Sequence, residues 1–224
     1  MIRLSQVSKT YLSGKNSLWA LRAIDLEVKS GDFLVIRGPS GSGKSTLLNM
    51  LGLLDEPSSG TVTLKGTRVT YEDFDRLAEL RSRCISFIFQ AFHLNPVLSL
   101  EENVMVPLMI RRDISSNEKQ RRVEEWIEKT GLTSHRHHRP DELSGGQRQR
   151  VAIARAMVGE PQLIIADEPT ANLDSHTSRT ILALMQELNR EKQTAFAFAT
   201  HDPVLDEFAK RSLLIQDGAF KQGL

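Results

Sequence analysis

Cysteine is almost absent from the chain, with Cys84 the only one. One thiol excludes an internal disulfide framework and any cysteine-rich zinc site, and it fits a reducing compartment. Net charge is equally scarce. Lys and Arg offset Asp and Glu to +1, so no global basic field calls for nucleic acid, and none is expected as a partner. Long apolar runs are missing too: no segment approaches the roughly 18 residues that suggest a membrane span. The opening "MIRLSQVSKTYLSG" lacks the basic, apolar and small-residue succession of a secretory signal, so the chain is expected neither to be exported nor to cross a bilayer. Repeats and low-complexity linkers are also lacking.

What is present suits one sizeable domain with a smaller insertion, since 224 residues can bury an ordinary core. Apolar runs at Phe33 to Arg37, Cys84 to Phe89, Leu163 to Asp167 and Ala195 to Thr200 read as buried strands. Helical patterns lie at Lys44 to Leu53, Asn117 to Thr130, Gly146 to Val158 and Ser175 to Arg190. Such alternation predicts an α/β fold with a largely parallel sheet. The first third differs, because "IRLSQVSKTY", "LRAIDLEVKSG" and "GTVTLKGTRV" alternate like antiparallel strands, which predicts an N-terminal antiparallel β flank. Strand signals vanish between 91 and 140. The expected organisation is a catalytic core at 1–90 and 141–224, with an inserted α-helical subdomain at 91–140.

The stretch "GPSGSGKST" follows a strand and opens a helix, the context a phosphate loop requires. Gly38, Gly41 and Gly43, with Pro39, Ser40 and Ser42 between them, let backbone N–H groups wrap phosphate oxygens. Lys44 supplies a cation to the β- and γ-phosphates, the Ser45 hydroxyl can ligate Mg²⁺, and Thr46 continues into the helix. "LIIADEPT" sets Asp167 and Glu168 at a strand end, where Asp167 would bind the metal through its water shell and Glu168 would polarise the attacking water. Gln90 and His201 end two further strands, at the edge where α/β sheets bind ligands. Alone, they would read as a solvated loop residue and a capping or core group; the neighbouring motifs favour the functional reading. Tyr11 offers an aromatic face that suits an adenine ring and suits an ordinary surface position almost as well. "HRHHR" (His135 to Arg139) lacks the ligand spacing of a metal site and reads as a solvated basic loop.

A second glycine pair opens another helix in "DELSGGQRQRVAIARA". Helix N-termini attract phosphate through unpaired donors and the macrodipole, yet this pair has no accompanying lysine. Together "GPSGSGKST", "LSGGQ", "LIIADEPT" and "ATHD" resemble the ATP-binding cassette (ABC) ATPases in kind and order, over essentially the whole chain. The resemblance implies a P-loop (RecA-like) core that binds and hydrolyses ATP with Mg²⁺. It implies a head-to-tail homodimer in which Leu143, Ser144, Gly145, Gly146 and Gln147 of one copy cover the γ-phosphate held by the other. Tyr11 then matches the aromatic A-loop, and Gln90 matches the Q-loop that ligates Mg²⁺ and senses the membrane partner. Asn172, Leu173 and Asp174 match the D-loop at the subunit interface, and His201 the switch histidine that contacts the γ-phosphate.

The segments "FIFQAFHLNPVLSLEENVMVPL" and "HRPDELSGGQRQRVAIARA" are similar to the lipoprotein-releasing (LolD-type) and macrolide-export (MacB-type) branch. That branch implies separately encoded integral membrane subunits with large periplasmic domains, and an ATPase held peripherally at the cytoplasmic face of the inner membrane. Lipoprotein release is favoured over efflux. The region after Gln90, with Phe92, Leu94, Val97, Leu98 and "NVMVPLMI", offers apolar side chains that could accept a short helix from such a subunit or serve ordinary packing. A division-type ATPase that activates cell-wall hydrolases through membrane subunits would share nearly every motif.

Overall fold

The computed structural model describes residues 1–13 and 16–221. The chain opens with β1 (Ile2–Ser13) and β2 (Asn16–Val28), followed by β3 (Phe33–Arg37), α1 (Lys44–Leu51), β4 (Ser59–Leu64) and β5 (Thr67–Arg68). Next come α2 (Phe74–Cys84), β6 (Ile85–Phe89), α3 (Leu100–Met109), α4 (Ser116–Lys129), α5 (Gly145–Met157) and β7 (Leu163–Asp167). The chain closes with α6 (Ser175–Lys192), β8 (Ala195–Ala199), β9 (Arg211–Gln216) and β10 (Ala219–Phe220).

These strands form two sheets. One is antiparallel, in the order β2-β1-β4-β5; the other runs β10-β9-β3-β8-β7-β6 and is parallel except for its β9–β10 hairpin. Both match the expected mixed α/β architecture with a β flank. The central strands are buried on both faces, and their period of two divides the core. Leu34 and Ile36 of β3 point with Leu163 and Ile165 of β7 toward α1 and the antiparallel sheet. Phe33 and Val35 point with Ile164, Phe196 and Phe198 toward α3, α4, α5 and α6. Phe33 anchors this second face, its ring 4.6 Å from that of Phe198.

Differences from expectation have local causes. Cys84, expected to begin a strand, ends α2, which carried no assignment; only Leu77 and Cys84 of that charged helix are buried. In the 91–140 stretch α3 begins where Ser99 and Glu102 form a reciprocal capping box, and α4 begins at the Ser115 cap. Among the described residues no helix is long and apolar enough to cross a membrane.

Candidate functional site

The carboxyl ends of β6 and β7 and the loop after β3 border one cleft of about 720 Å³, lined by residues including Tyr11, Ser40, Gly41, Lys44, Ser45, Gln90, Asp167 and Glu168; His201, after β8, does not line it and is joined to it through Glu168. A buried parallel strand followed by a helix delivers the phosphate loop to this edge, because strand and helix are each fixed by packing and the loop spans the gap. Gly41 (φ 75) and Gly43 (φ 106) take left-handed conformations that favour glycine. A Cβ on Gly43 would strike the Ala20 carbonyl oxygen, whereas one on Gly41 would meet open space. No side chain caps α1, and the buried Ser42 Oγ has no partner. The first turn of α1 is thus left without a side-chain cap at the edge of the cleft, where helix N–H groups and the macrodipole attract anions. Lys44 Nζ donates to Gly38 O at 2.7 Å and Pro39 O at 2.9 Å, which folds the cation back over its own loop.

Across the cleft, Ser45 Oγ donates to Asp167 Oδ2 at 3.2 Å. Burial raises the Asp167 pKa, opposed by the Ser45 hydrogen bond and reinforced by Glu168. A hydroxyl and a desolvated carboxylate facing each other are hard oxygen donors of the kind Mg²⁺ takes, so the residues present fit the ion. Glu168 sits beside them at φ 47, a left-handed conformation rare outside glycine, and its N–H donates to Ala199 O at 2.9 Å. Both its carboxylate oxygens are occupied. Oε2 accepts from Thr200 Oγ1 at 2.9 Å, and Oε1 accepts from the His201 N–H at 3.1 Å and from His201 Nδ1 at 2.6 Å.

Tyr11 borders the same cleft, and its hydroxyl donates to Asp55 Oδ2 at 2.7 Å, which fixes the ring. Burial and that carboxylate raise its pKa. Leu18, Trp19 and Ala20 of β2 line the cleft as well, and sequence reasoning passed over them. Hairpin pairing sets Leu18 opposite Tyr11 and Trp19 opposite Thr10. Only an unusually exposed Trp in an alternating strand could have hinted at it.

The second glycine pair lies elsewhere, and none of Leu143 to Gln147 lines the cleft. Ser144 is exposed and caps α5: its hydroxyl accepts from Gln147 N at 3.3 Å, and Gln147 Oε1 accepts from Ser144 N at 2.8 Å. Gly146 has a packing duty, since a Cβ there would come within 2.7 Å of Thr177 Cγ2 on α6. Asp174 caps α6 through the N–H groups of His176 and Thr177, each at 3.0 Å, and the Thr177 hydroxyl holds its pKa down. Asn172 Nδ2 donates to Gln90 O at 2.8 Å and ties the two loops together. Part of "HRHHR" is not simply solvated: His135 Nε2 lies 3.0 Å from Gln147 Nε2, although His137 is exposed. No metal-binding cluster of three or more His, Cys, Asp or Glu occurs among the described residues.

Behind Gln90 is a shallow apolar groove lined by Phe87, Phe89, His93, Val106, Pro107 and Arg155. Val97, Met109 and Ile110 are exposed but do not line it. Phe92, Leu94 and Leu98 are only partly exposed, so the docking surface expected from the sequence is divided between packing and solvent.

A family model described as "ABC transporter" matches residues 21–171. The lipoprotein-releasing system ATP-binding protein LolD of Alcanivorax borkumensis is 47% identical, covering 94% of this chain and 91% of its own. The macrolide export ATP-binding/permease protein MacB of Syntrophobacter fumaroxidans is 44% identical over 99% of this chain, which corresponds to 31% of MacB. Among solved structures, the ATP-binding cassette MJ0796 of Methanocaldococcus jannaschii, a post-hydrolysis dimer bound to ADP and Pi, superposes with a TM-score of 0.89. It is 40% identical and covers 99% of this chain and 97% of its own.

Proposed function

The chain belongs to the ABC transporter family as an ATP-hydrolysing subunit, and from that premise we propose that two copies close head to tail around ATP and so move membrane subunits. The observation that carries the arrangement is the separation of the two glycine loops: Lys44, Ser45, Asp167 and Glu168 share a cleft that Ser144 does not reach. A second copy supplies what the cleft lacks. Its Ser144, Gly145 and Gly146 would bring a hydroxyl and a helix N-terminus to the γ-phosphate. Two identical half-sites close as a symmetric pair, and the binding energy of closure is lost when phosphate leaves.

Within each cleft Lys44 and the loop N–H groups bind and orient the phosphates, and Tyr11 stacks on the adenine. Ser45, Gln90 and, through water, Asp167 would hold Mg²⁺, which supplies charge neutralisation across the phosphate oxygens when bound. Glu168 accepts the proton of the attacking water. Its Oε1 contacts His201 Nδ1, and that one contact is given up when the His201 ring turns to the γ-phosphate, while the His201 N–H and the Thr200 hydroxyl keep the carboxylate in place. Hydrolysis is thereby tied to arrival of the correct ligand. Asp174 and Asn172 would meet the partner copy at the interface.

The groove behind Gln90 takes a short helix from separately encoded membrane subunits with periplasmic domains, at the cytoplasmic face of the inner membrane. The LolD and MacB likenesses support lipoprotein extraction first and macrolide-type efflux second. The deciding experiment is Glu168→Gln. It is expected to bind ATP normally, lose about 10²-fold or more in turnover, and elute as a dimer in ATP with Mg²⁺. Wild-type turnover would refute Glu168 as the base; a monomer with ATP bound would refute closure. Subunits co-purified from membranes, with bound lipoprotein or drug, identify the cargo.

A further inference from the structure

Phe89 and His93 line both the nucleotide cleft and the apolar groove, so the segment from Phe89 to His93 is the wall between them. That wall contains two consecutive non-glycine residues in left-handed conformation, Phe92 (φ 59) and His93 (φ 48). Each costs about 1–2 kcal/mol and persists only where its surroundings enforce it. The turn's own bonds, Phe92 N to Phe89 O at 3.1 Å and His93 N to Ala91 O at 2.6 Å, are short-range. Two long-range restraints act on the segment: Asn172 Nδ2 holds Gln90 O at 2.8 Å, and the left-handed turn itself is held from α5. Arg155 Nη1 donates to His93 O at 2.5 Å and Nη2 to Phe92 O at 2.6 Å, while the Arg148 guanidinium lies 5.5 Å from the centre of the Phe92 ring. Seven residues apart, the two arginines share one face of α5. Burial lowers the Arg155 pKa, so this cation is held in place at some cost and spends its donors on backbone carbonyls.

We propose that Arg155 is a positioning residue for Gln90: by gripping the carbonyls of Phe92 and His93 it fixes the turn that sets Gln90 in the cleft. It also fastens that turn to the helix whose first residues cap the opposing site. The proposal rests on the metal-ligating role given to Gln90 above. It makes the groove and the cleft two faces of one clamped turn, since Arg155 and His93 both border the groove a membrane helix would enter.

Site-resolved amide exchange on the full nucleotide-free chain, paired with steady-state ATP hydrolysis, tests it. Arg155→Met is expected to speed exchange at Phe92 and His93 about tenfold or more, while the β7 and β8 amides keep their rates. Its kcat falls about tenfold with KM for ATP within about twofold, because bound ATP is held elsewhere while its metal ligand wanders. Arg155→Lys, which keeps a cationic donor, recovers part of both losses, and it carries the test alone should the methionine variant fail to fold. Unchanged exchange in the variants, or faster exchange with undiminished kcat, overturns the proposal. Gln90→Ala separates the two levels: normal turnover there removes the Gln90 reading itself, whereas slow turnover there beside normal Arg155 variants removes only the clamp.

Discussion

The two glycine-bearing helix starts differ in what they leave unfinished. At α1 the loop turns through left-handed glycines, no side chain caps the helix, and the Ser42 hydroxyl is buried without a partner. At α5 neither Gly145 nor Gly146 is left-handed, and Ser144 and Gln147 cap the helix reciprocally. The first, on the proposed function, is where the phosphates bind. The second is already capped, and Gly146 keeps a side chain out of the way of α6, while on the proposed arrangement both glycines leave room for a phosphate on a partner chain. Glycine spacing therefore does not by itself say what a glycine-rich loop binds; the state of the adjacent donors does.

The largest expected effect breaks the two loops apart. Lys44→Ala should weaken ATP binding to the isolated chain about 10²-fold, as a desolvated charge-assisted contact is lost. Ser144→Arg should leave that affinity within about twofold and abolish ATP-induced dimerisation. Equal loss of monomer affinity in both would put the loops in one site.

A middle-sized effect sharpens the packing role of the second loop. Gly146→Ala should cost about 1–3 kcal/mol, because the new methyl collides with Thr177 Cγ2. Thr177→Ser removes that methyl and keeps the hydroxyl that reaches Asp174 at 2.6 Å, so the double variant should recover most of the stability in denaturant unfolding. No recovery would show that the glycine is required for another reason.

The smallest effect concerns the first loop's partner carboxylate. Burial raises the folded pKa of Asp167 above its unfolded value, so ionising it costs stability. That cost is absent below the unfolded pKa, grows as pH rises through the folded pKa, and persists at neutral pH. Asp167→Asn should therefore give a small rise in Tm at pH 7 without nucleotide or metal, no rise at strongly acid pH, and loss of Mg²⁺-dependent hydrolysis. A lower Tm at pH 7 would contradict the sign.

Legibility followed the range of the interactions. β3, β7 and β8 carry short apolar runs buried on both faces, and the phosphate loop is punctuated by its own glycines, so both could be read locally. α2 was missed because its sequence is mostly charged and buries only Leu77 and Cys84; β9 was missed because only Ile215 of it is fully buried. Trp19 and Leu18 escaped notice at the cleft because strand pairing, not sequence distance, sets them beside Tyr11. His135 likewise meets Gln147, twelve residues on, only because of how the chain turns before it enters α5.

By itself the sequence determined the α/β class, the phosphate loop, the paired carboxylates Asp167 and Glu168, and the resemblance to the ABC ATPases. Each is written in neighbouring residues, where backbone geometry and burial follow from local pattern. Tertiary structure alone decided that Glu168 is held by Thr200 and His201, that Gly146 is a packing residue, and that Arg155 grips the turn after Gln90. Those facts depend on which strand ends and helix faces meet. Such meetings are set by the packing of the whole sheet, which no local stretch of sequence contains.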